Sequence, residues 1–327
     1  MIASLLRFAA AAAIGLAGTT ASAQPSAPAD FPARPVRLVV PFPAGGSLDN
    51  VTRLLAQRLT EQWGQPIVVD NRPGGAAVIG TTQVAKSPAD GYTLLMMANG
   101  FVMVPMLMTK VPYDPYRDFE PVSLLARVNQ VLVAPNSFAP NSVAELIALA
   151  RSRPGAIRFA SFGNGTSSHL GVELLKHLAG IDLTHIPYKG VAPAMQDVLG
   201  GHVDLFLTNL PETLPYLQTG RLKALGVADE KRAPQLPDVP TFAEQGVANF
   251  NVYSWYGVAA PAGTPSAIVG KIDAAFREAL QHPTVNSKLT QQGIVPLGKG
   301  PEALREFMRS EQARYAEPIR VSGARIE

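Results

Sequence analysis

Two short stretches carry the residues whose types and spacing could do chemistry. The first is LVVPFPAGGSLDN, residues 38–50, where an apolar, β-branched run stops at Pro41, Gly45 and Gly46 follow, and a helical pattern starts near Ser47–Asp49. The second is SFGNGTSSHL, residues 161–170, a glycine-rich turn that again follows an apolar run and opens a helix. Glycine lets a turn adopt positive φ and brings backbone amides close to a ligand. Those amides then point out of a helix N-terminus, where the helix dipole favours negative charge. Asp49 fits an N-cap or first-turn position. The second turn adds the hydroxyls of Thr166, Ser167 and Ser168. The two turns together offer many neutral donors and little fixed positive charge, which suits a carboxylate held by amides, hydroxyls and ordered water. Packing alone also explains a glycine-rich turn between strand and helix; two in one chain favour anion binding.

Other chemistries find less support. GNGTSS follows a strand, with Asp182 about twenty residues on, but its sixth position is Ser and it sits mid-chain, so it is a poor dinucleotide fingerprint. The chain contains no Walker A pattern, no G-x-S-x-G elbow and no H-E-x-x-H. Its five histidines, His169, His177, His185, His202 and His282, form no metal-ligand spacing. No metal and no cofactor is therefore expected. The rival from another class is an exported hydrolase using Ser167 or Ser168 with His169, although neighbours on one helix rarely make such a pair.

These turns need a scaffold, and the apolar pattern describes one. Strands are expected at 36–40, 66–70, 92–98, 129–135, 157–162, 184–188, 203–209 and 222–228. Helices are expected between them, one carrying Val51, Leu54, Leu55 and Leu59 on a single face, another Val143, Leu146, Ile147 and Ala150. A third carries Leu170, Leu174 and Leu178, and a fourth Val191, Met195, Val198 and Leu199; the tail reads as helix over 265–281, 283–292 and 301–318. Alternating strands and helices predict an α/β fold of parallel sheets with helices on both faces, and about ten strands fit two sheets better than one. Ligands of such sheets bind beyond the carboxyl ends of the strands. That rule singles out Phe42–Gly46, Asn99–Gly100, Ser161–Ser167, Tyr188–Gly190 and Thr208–Asn209.

The apolar stretch LLMMANGFVMVPMLM, residues 94–108, is too short and too interrupted by Asn99, Gly100 and Pro105 to span a bilayer. It reads as strand, loop and short helix; its five methionines serve either as core filler or as an adaptable wall beside a ligand. The 327 residues suffice for two domains, and Gly (28) and Pro (29) are too few for a disordered chain. The formal charge of +3 is mild and dispersed, which argues against a nucleic-acid partner. Residues 1–23 read as a signal peptide: Arg7, then FAAAAAIGLAG, then Ala21-Ser22-Ala23 as a small-x-small cleavage site. PSAPAD after it reads as an unpacked lead-in. The absence of cysteine excludes disulfides and thiolate chemistry. A soluble protein in the bacterial periplasm, cleaved near Ala23, is expected.

RPVRLVVPFPAGGSLDNVTR, VVDNRPGG, PADGYTLL, SFGNGTSSHL, IPYKGVAPAMQDVLGGHVDL, DVPTFAEQGV and WYGVAAPAGTP occur in this order from about residue 32. This ordered set closely resembles the tripartite tricarboxylate transporter receptor family, the Bug-type periplasmic solute-binding proteins. The resemblance implies a two-lobed periplasmic-binding-protein fold (Venus-flytrap, type II-like), each lobe a mostly parallel sheet flanked by helices. It places domain 1 at 32–130 and 255–327 and domain 2 at 131–254. It implies a ligand carboxylate held by Phe42, Pro43, Ala44, Gly45 and Gly46, with Asp49 at the helix start. Opposite them it places Ser161, Gly163, Gly165, Thr166, Ser167 and His169. Tyr188 and Lys189 fall in the family's PYKG segment, and Asn99 and Asn209 lie where side chains choose the far end of the ligand. NRPGGAAVIG departs from the family pattern, Ala76 and Ala77 standing where residues are commonly small and flexible.

Some side chains carry two readings each. Arg72 is a ligand clamp or a surface residue, and Lys189 neutralises a second carboxylate or caps a strand end. Trp255 and Tyr256 stack on a ligand or pack at the crossover between domains. The expected function is capture of a small carboxylate (a di- or tricarboxylate, an aromatic acid or an acidic amino acid) by a monomeric, non-enzymatic receptor. The receptor delivers it to membrane subunits of a tripartite tricarboxylate-type transporter, or presents its closed form to a sensor kinase.

Overall fold

A computed structural model describes residues 31–326. The expected signal peptide, its cleavage site and the PSAPAD lead-in lie outside the described residues.

The first sheet begins with β1 (Val36–Val40), which pairs in parallel with β2 (Ile67–Asn71) and β3 (Thr93–Met97). The intervening helices are α1 (Ser47–Trp63) and α2 (Val78–Ala85), and α3 (Gly100–Leu107) follows β3. α1 forms because Leu48, Val51, Leu55 and Leu59 recur on one buried face, and it stops where Gly64 turns left-handed at φ 63°. The methionine-rich stretch is β3 and α3; Met96, Met97 and Met103 are buried and serve the core.

The chain then enters β4 (Phe119–Pro135), a 17-residue strand buried along most of its length. Its first part pairs antiparallel with β9 (Tyr253–Pro261), from Phe119↔Pro261 to Asn129↔Tyr253, and on its other edge with β10 (Ile294–Lys299). Its last part, from Gln130, pairs instead with β7 (Leu205–Asn209) and β8 (Leu222–Val227). One strand therefore belongs to both sheets, and the pairing changes between Asn129 and Gln130. The second sheet is completed by β5 (Arg158–Ser161) and β6 (Thr184–Pro187), parallel to each other, with β5 also parallel to β7. The order across both is β2-β1-β3-β9-β4-β7-β5-β6. Each sheet is parallel in its outer half and antiparallel around the strands that run between the lobes.

Helices cover both faces of each sheet. On the first, α1 and α8 (Ser266–Gln281) pack on one face, and α3 and α10 (Pro301–Ser322) on the other. α9 (Pro283–Gln291) leads from α8 into β10. On the second, α4 (Val143–Ser152) and α5 (Ser167–Ala179) cover one face, and α6 (Val191–Leu199) and α7 (Leu210–Gln218) the other. Covering both faces lets the strands be apolar throughout, as parallel sheets require.

The departure at NRPGGAAVIG has a structural counterpart. Gly74, Gly75, Ala76 and Ala77 all take positive φ, with Ala76 at 54° and Ala77 at 73°. An L-residue with a Cβ pays about 1–2 kcal/mol for this conformation. Ala77 is buried, while Ala76 is only half-buried. Ala76→Gly should therefore stabilise the protein by about 0.5–1 kcal/mol, the relieved strain less the extra freedom of the unfolded chain. A higher urea midpoint at unchanged slope is the expected readout; a lower midpoint would contradict the strained geometry.

Candidate functional site

The carboxyl ends of β1, β3, β5, β6 and β7 open on one cleft of about 610 Å³ between the two sheets. Five helices begin at it: Ser47 of α1, Gly100 of α3, Ser167 of α5, Val191 of α6 and the Pro211–Glu212 turn of α7 all line it. Each helix start carries a partial positive charge and amides without intrahelical partners. The cleft is thus a convergence of anion-attracting helix ends between mostly apolar walls.

The first loop is built as its sequence indicates. Phe42, Pro43, Ala44, Gly45 and Gly46 line the cleft, with Gly45 at φ 90°. Asp49 also lines it, but its carboxylate serves the loop itself. It accepts from Gly45 N at 3.0 Å, Arg53 Nε at 3.0 Å and Asn71 Nδ2 at 3.0 Å. Burial raises the Asp49 pKa, yet the bonds from Arg53, Gly45 and Asn71 outweigh it and hold the carboxyl below its usual range. Asp49 is a positioning residue for the loop.

Of the second turn, Thr166 and Ser167 line the cleft, while Ser161, Gly163, Gly165 and His169 stand behind it. Ser161 Oγ bonds His185 Nε2 at 2.7 Å. Gly163 O accepts from Thr166 Oγ1 at 2.7 Å, closing the turn. Gly165 packs so closely that a Cβ would meet Leu107 at 2.9 Å. His169 is buried, its Nδ1 accepting from Gly165 N and its ring stacked on His185 with centroids 4.0 Å apart. It lies two residues after Ser167, about 200° round the helix, so it faces away. Burial, reinforced by Lys176, pushes the His169 pKa down to about 4. Burial, then His169 and Lys176, push His185 down to about 3.

Lys189 and Asn209 line the cleft, but Tyr188 does not. Tyr188 turns back to donate to Asp197 at 2.6 Å. Asn99 lines the cleft while its side chain is engaged with the backbone of β9. Nδ2 donates to Tyr253 O and Oδ1 accepts from Trp255 N, both at 3.1 Å. Arg72 pairs with Asp70 on the surface, and Trp255 is buried edge-on against Phe307. Tyr256 packs in the core of the first sheet, and it also lines the cleft, where its hydroxyl bonds Ser47 Oγ.

Ser47, Gln130, Glu212 and Ser254, which no sequence signal singled out, form one network with Tyr256, Ser167 and Asn209, buried except at the half-buried Glu212. Gln130, at the point where β4 changes sheets, donates to Ser167 Oγ (2.9 Å), Asn209 Oδ1 (3.1 Å) and Ser254 Oγ (3.1 Å). Asn209 Nδ2 donates to Ser47 Oγ at 2.8 Å, and the Tyr256 hydroxyl bonds the same oxygen. Burial pushes the Tyr256 phenol well above its ordinary pKa, so it stays a neutral donor. Ser47 N and Ser47 Oγ both donate to Glu212 Oε1, at 3.0 and 2.9 Å. The network ties the first loop to the second sheet.

This Ser/His arrangement is not that of a hydrolase. Ser167 Oγ bonds Gln130 and Ser254, Ser168 Oγ donates to the carbonyl of Leu207, and His169 faces the other way. Neither Ser167 nor Ser168 has a base within reach.

Two mixed sheets sharing a strand, with helix starts converging on the cleft between them, define a two-lobed periplasmic binding protein. The comparisons place it more narrowly. The family model for the tripartite tricarboxylate transporter family receptor matches residues 51–323, and the chain belongs to that family. Protein BugT of Bordetella pertussis is 39% identical, the match covering 97% of this chain and 98% of BugT. A solved structure of an R. palustris protein with adipate has a TM-score of 0.86 at 39% identity, covering 90% of this chain and 98% of that one. MatC of Rhodopseudomonas palustris, solved with bound malate, has a TM-score of 0.82 at 34% identity, covering 88% and 100%. The family is one of solute-binding receptors, as the ordered motifs imply.

Proposed function

We propose that this chain is a periplasmic receptor that captures a small carboxylate in the cleft and delivers it to the membrane subunits of a tripartite tricarboxylate-type transporter. One observation carries the reading: five helix N-termini and the glycine loops of both lobes share a single cleft. Residues 32–130 with 255–327, and 131–254, act as two bodies hinged where β4 and β9 cross. Closure excludes water and strengthens each hydrogen bond to the anion. The adipate- and malate-bound relatives support a carboxylate as cargo. Export with cleavage near Ala23 and action as a monomer complete the reading.

Thermal unfolding against a panel of aliphatic, aromatic and amino-acid carboxylates tests it. A bound carboxylate at a hundredfold its dissociation constant adds about 2.7 kcal/mol, a Tm rise of a few degrees. A Tm unchanged across the whole panel would contradict carboxylate binding.

A further inference from the structure

The amide that opens α1 already holds a carboxylate, and it belongs to the protein. Glu212, in the first turn of α7 on the second lobe, reaches across to Ser47 on the first. Its Oε1 accepts from Ser47 N (3.0 Å), Ser47 Oγ (2.9 Å) and Asn209 Nδ2 (3.2 Å), and its Oε2 accepts from Thr208 Oγ1 (2.7 Å). A Cβ built on Gly46 would lie 3.9 Å from Oε1, so the carboxylate sits directly over the glycine loop. That is where an anion at this helix N-terminus belongs. Glu212 satisfies the donors there and neutralises the ends of both α1 and α7.

Little positive charge remains for a ligand with several carboxylates. Among the described residues lining the cleft, Lys189 is the only basic side chain, and it is exposed; Asp49 and Glu212 are both acidic. Much of the remaining wall is apolar, with Phe42, Phe162, Met195, Leu214 and Tyr216. We infer that Glu212 is a specificity-determining residue that fills one carboxylate position from within, so that the cleft selects a ligand with a single carboxylate on an apolar body. A second ligand carboxylate would meet Glu212 in a part-buried site, where like charges repel strongly. The ligand's one carboxylate goes to the ends of α5 and α6, with Lys189 beside them. This inference rests on the carboxylate-receptor reading above.

Calorimetric titration of the wild type and Glu212→Ala with benzoate, hexanoate, succinate and citrate tests it. Wild type should bind a monocarboxylate at least tenfold more tightly than succinate or citrate. Glu212→Ala empties the position, and should raise succinate affinity at least tenfold more than benzoate or hexanoate affinity. Glu212→Gln, which removes the charge but keeps an oxygen over Ser47, should reproduce only a small part of that gain. Circular dichroism of each variant establishes that it is folded. Wild-type preference for succinate or citrate, or equal gains for mono- and dicarboxylates in Glu212→Ala, would overturn the role of Glu212 alone. Failure of every carboxylate to bind either protein would overturn the receptor reading and this inference with it.

Discussion

Gly190→Ala should weaken ligand binding at least tenfold, a loss of about 1.4 kcal/mol or more. Gly190 precedes α6 at φ 105°, a conformation that side chains rarely adopt. A Cβ there would come within 3.1 Å of Pro43 Cγ and 3.5 Å of Cδ. Pro43 belongs to the first loop, on the opposite lobe, and its ring, fixed to the backbone, has less room to yield than a flexible side chain. The methyl group therefore acts as a wedge where the lobes touch, and the closure proposed above would have to work against it. Local strain of about 1–3 kcal/mol adds to the effect and lowers the Tm. The two contributions separate in a double-mutant cycle. Pro43→Ala in the Gly190→Ala background removes the clash but not the backbone strain, and should restore affinity while leaving the Tm depressed. If affinity stays low in the double variant, the loss comes from the α6 turn alone and the interlobe contact plays no part in binding.

The second large effect is on stability and follows from the stacked histidines behind the binding turn. The folded-state pKa values of His169 and His185 are pushed down to about 4 and about 3, against an unfolded value near 6.5. Between those limits the unfolded chain binds more protons than the folded one, so stability is present above pH 6.5 and is lost as the pH falls. From pH 7 to 5 each buried histidine costs about 2 kcal/mol, and somewhat less for the partly exposed His185. Glu173 opposes this, since burial holds its carboxyl above the usual range despite Lys176. Urea unfolding at pH 7 and pH 5 should show a clear fall in midpoint. His185→Gln, whose side chain can still reach Ser161, should shrink that fall. Equal midpoints at the two pH values would mean that the pair is not held neutral by burial.

Much of the site was legible because glycine and apolar pattern act locally. The run ending at Pro41, the Gly45–Gly46 pair and the periodic Val51, Leu55 and Leu59 specify strand, loop and helix without outside help. Of the strands that join the lobes, only 129–135, the last part of β4, was legible. β9 reads YSWYGVAAP and is buried at nearly every position, so it shows no alternation, and its Gly and Ala residues are weak strand formers. The first part of β4 carries Glu120, Ser123 and Arg127 within an apolar run. β10 contains Pro296 and Gly298, which mark an irregular edge strand.

The same limit hid part of the site. Pro211 and Pro215 disguise α7, although Pro in the first helical turn is favoured, so Glu212 was not seen as a first-turn residue facing the cleft. Gln130 and Ser254 acquire their roles only because β4 and β9 meet where the sheets change, a long-range fact with no local signal. Ser161, Gly163, Gly165, His169 and Tyr188 sit in the right segments but do not line the cleft, since a segment match says nothing of which side of a helix or turn opens on it.

The most direct measurement is a crystal structure of the protein with the carboxylate that raises its Tm most. The ligand should lie between the lobes, its carboxylate oxygens within hydrogen-bond distance of the Thr166–Ser167 turn and the Gly190–Val191 start of α6, with Glu212 still on Ser47. A ligand bound outside this cleft, or one in the cleft whose carboxylate contacts none of the helix starts, would contradict that placement.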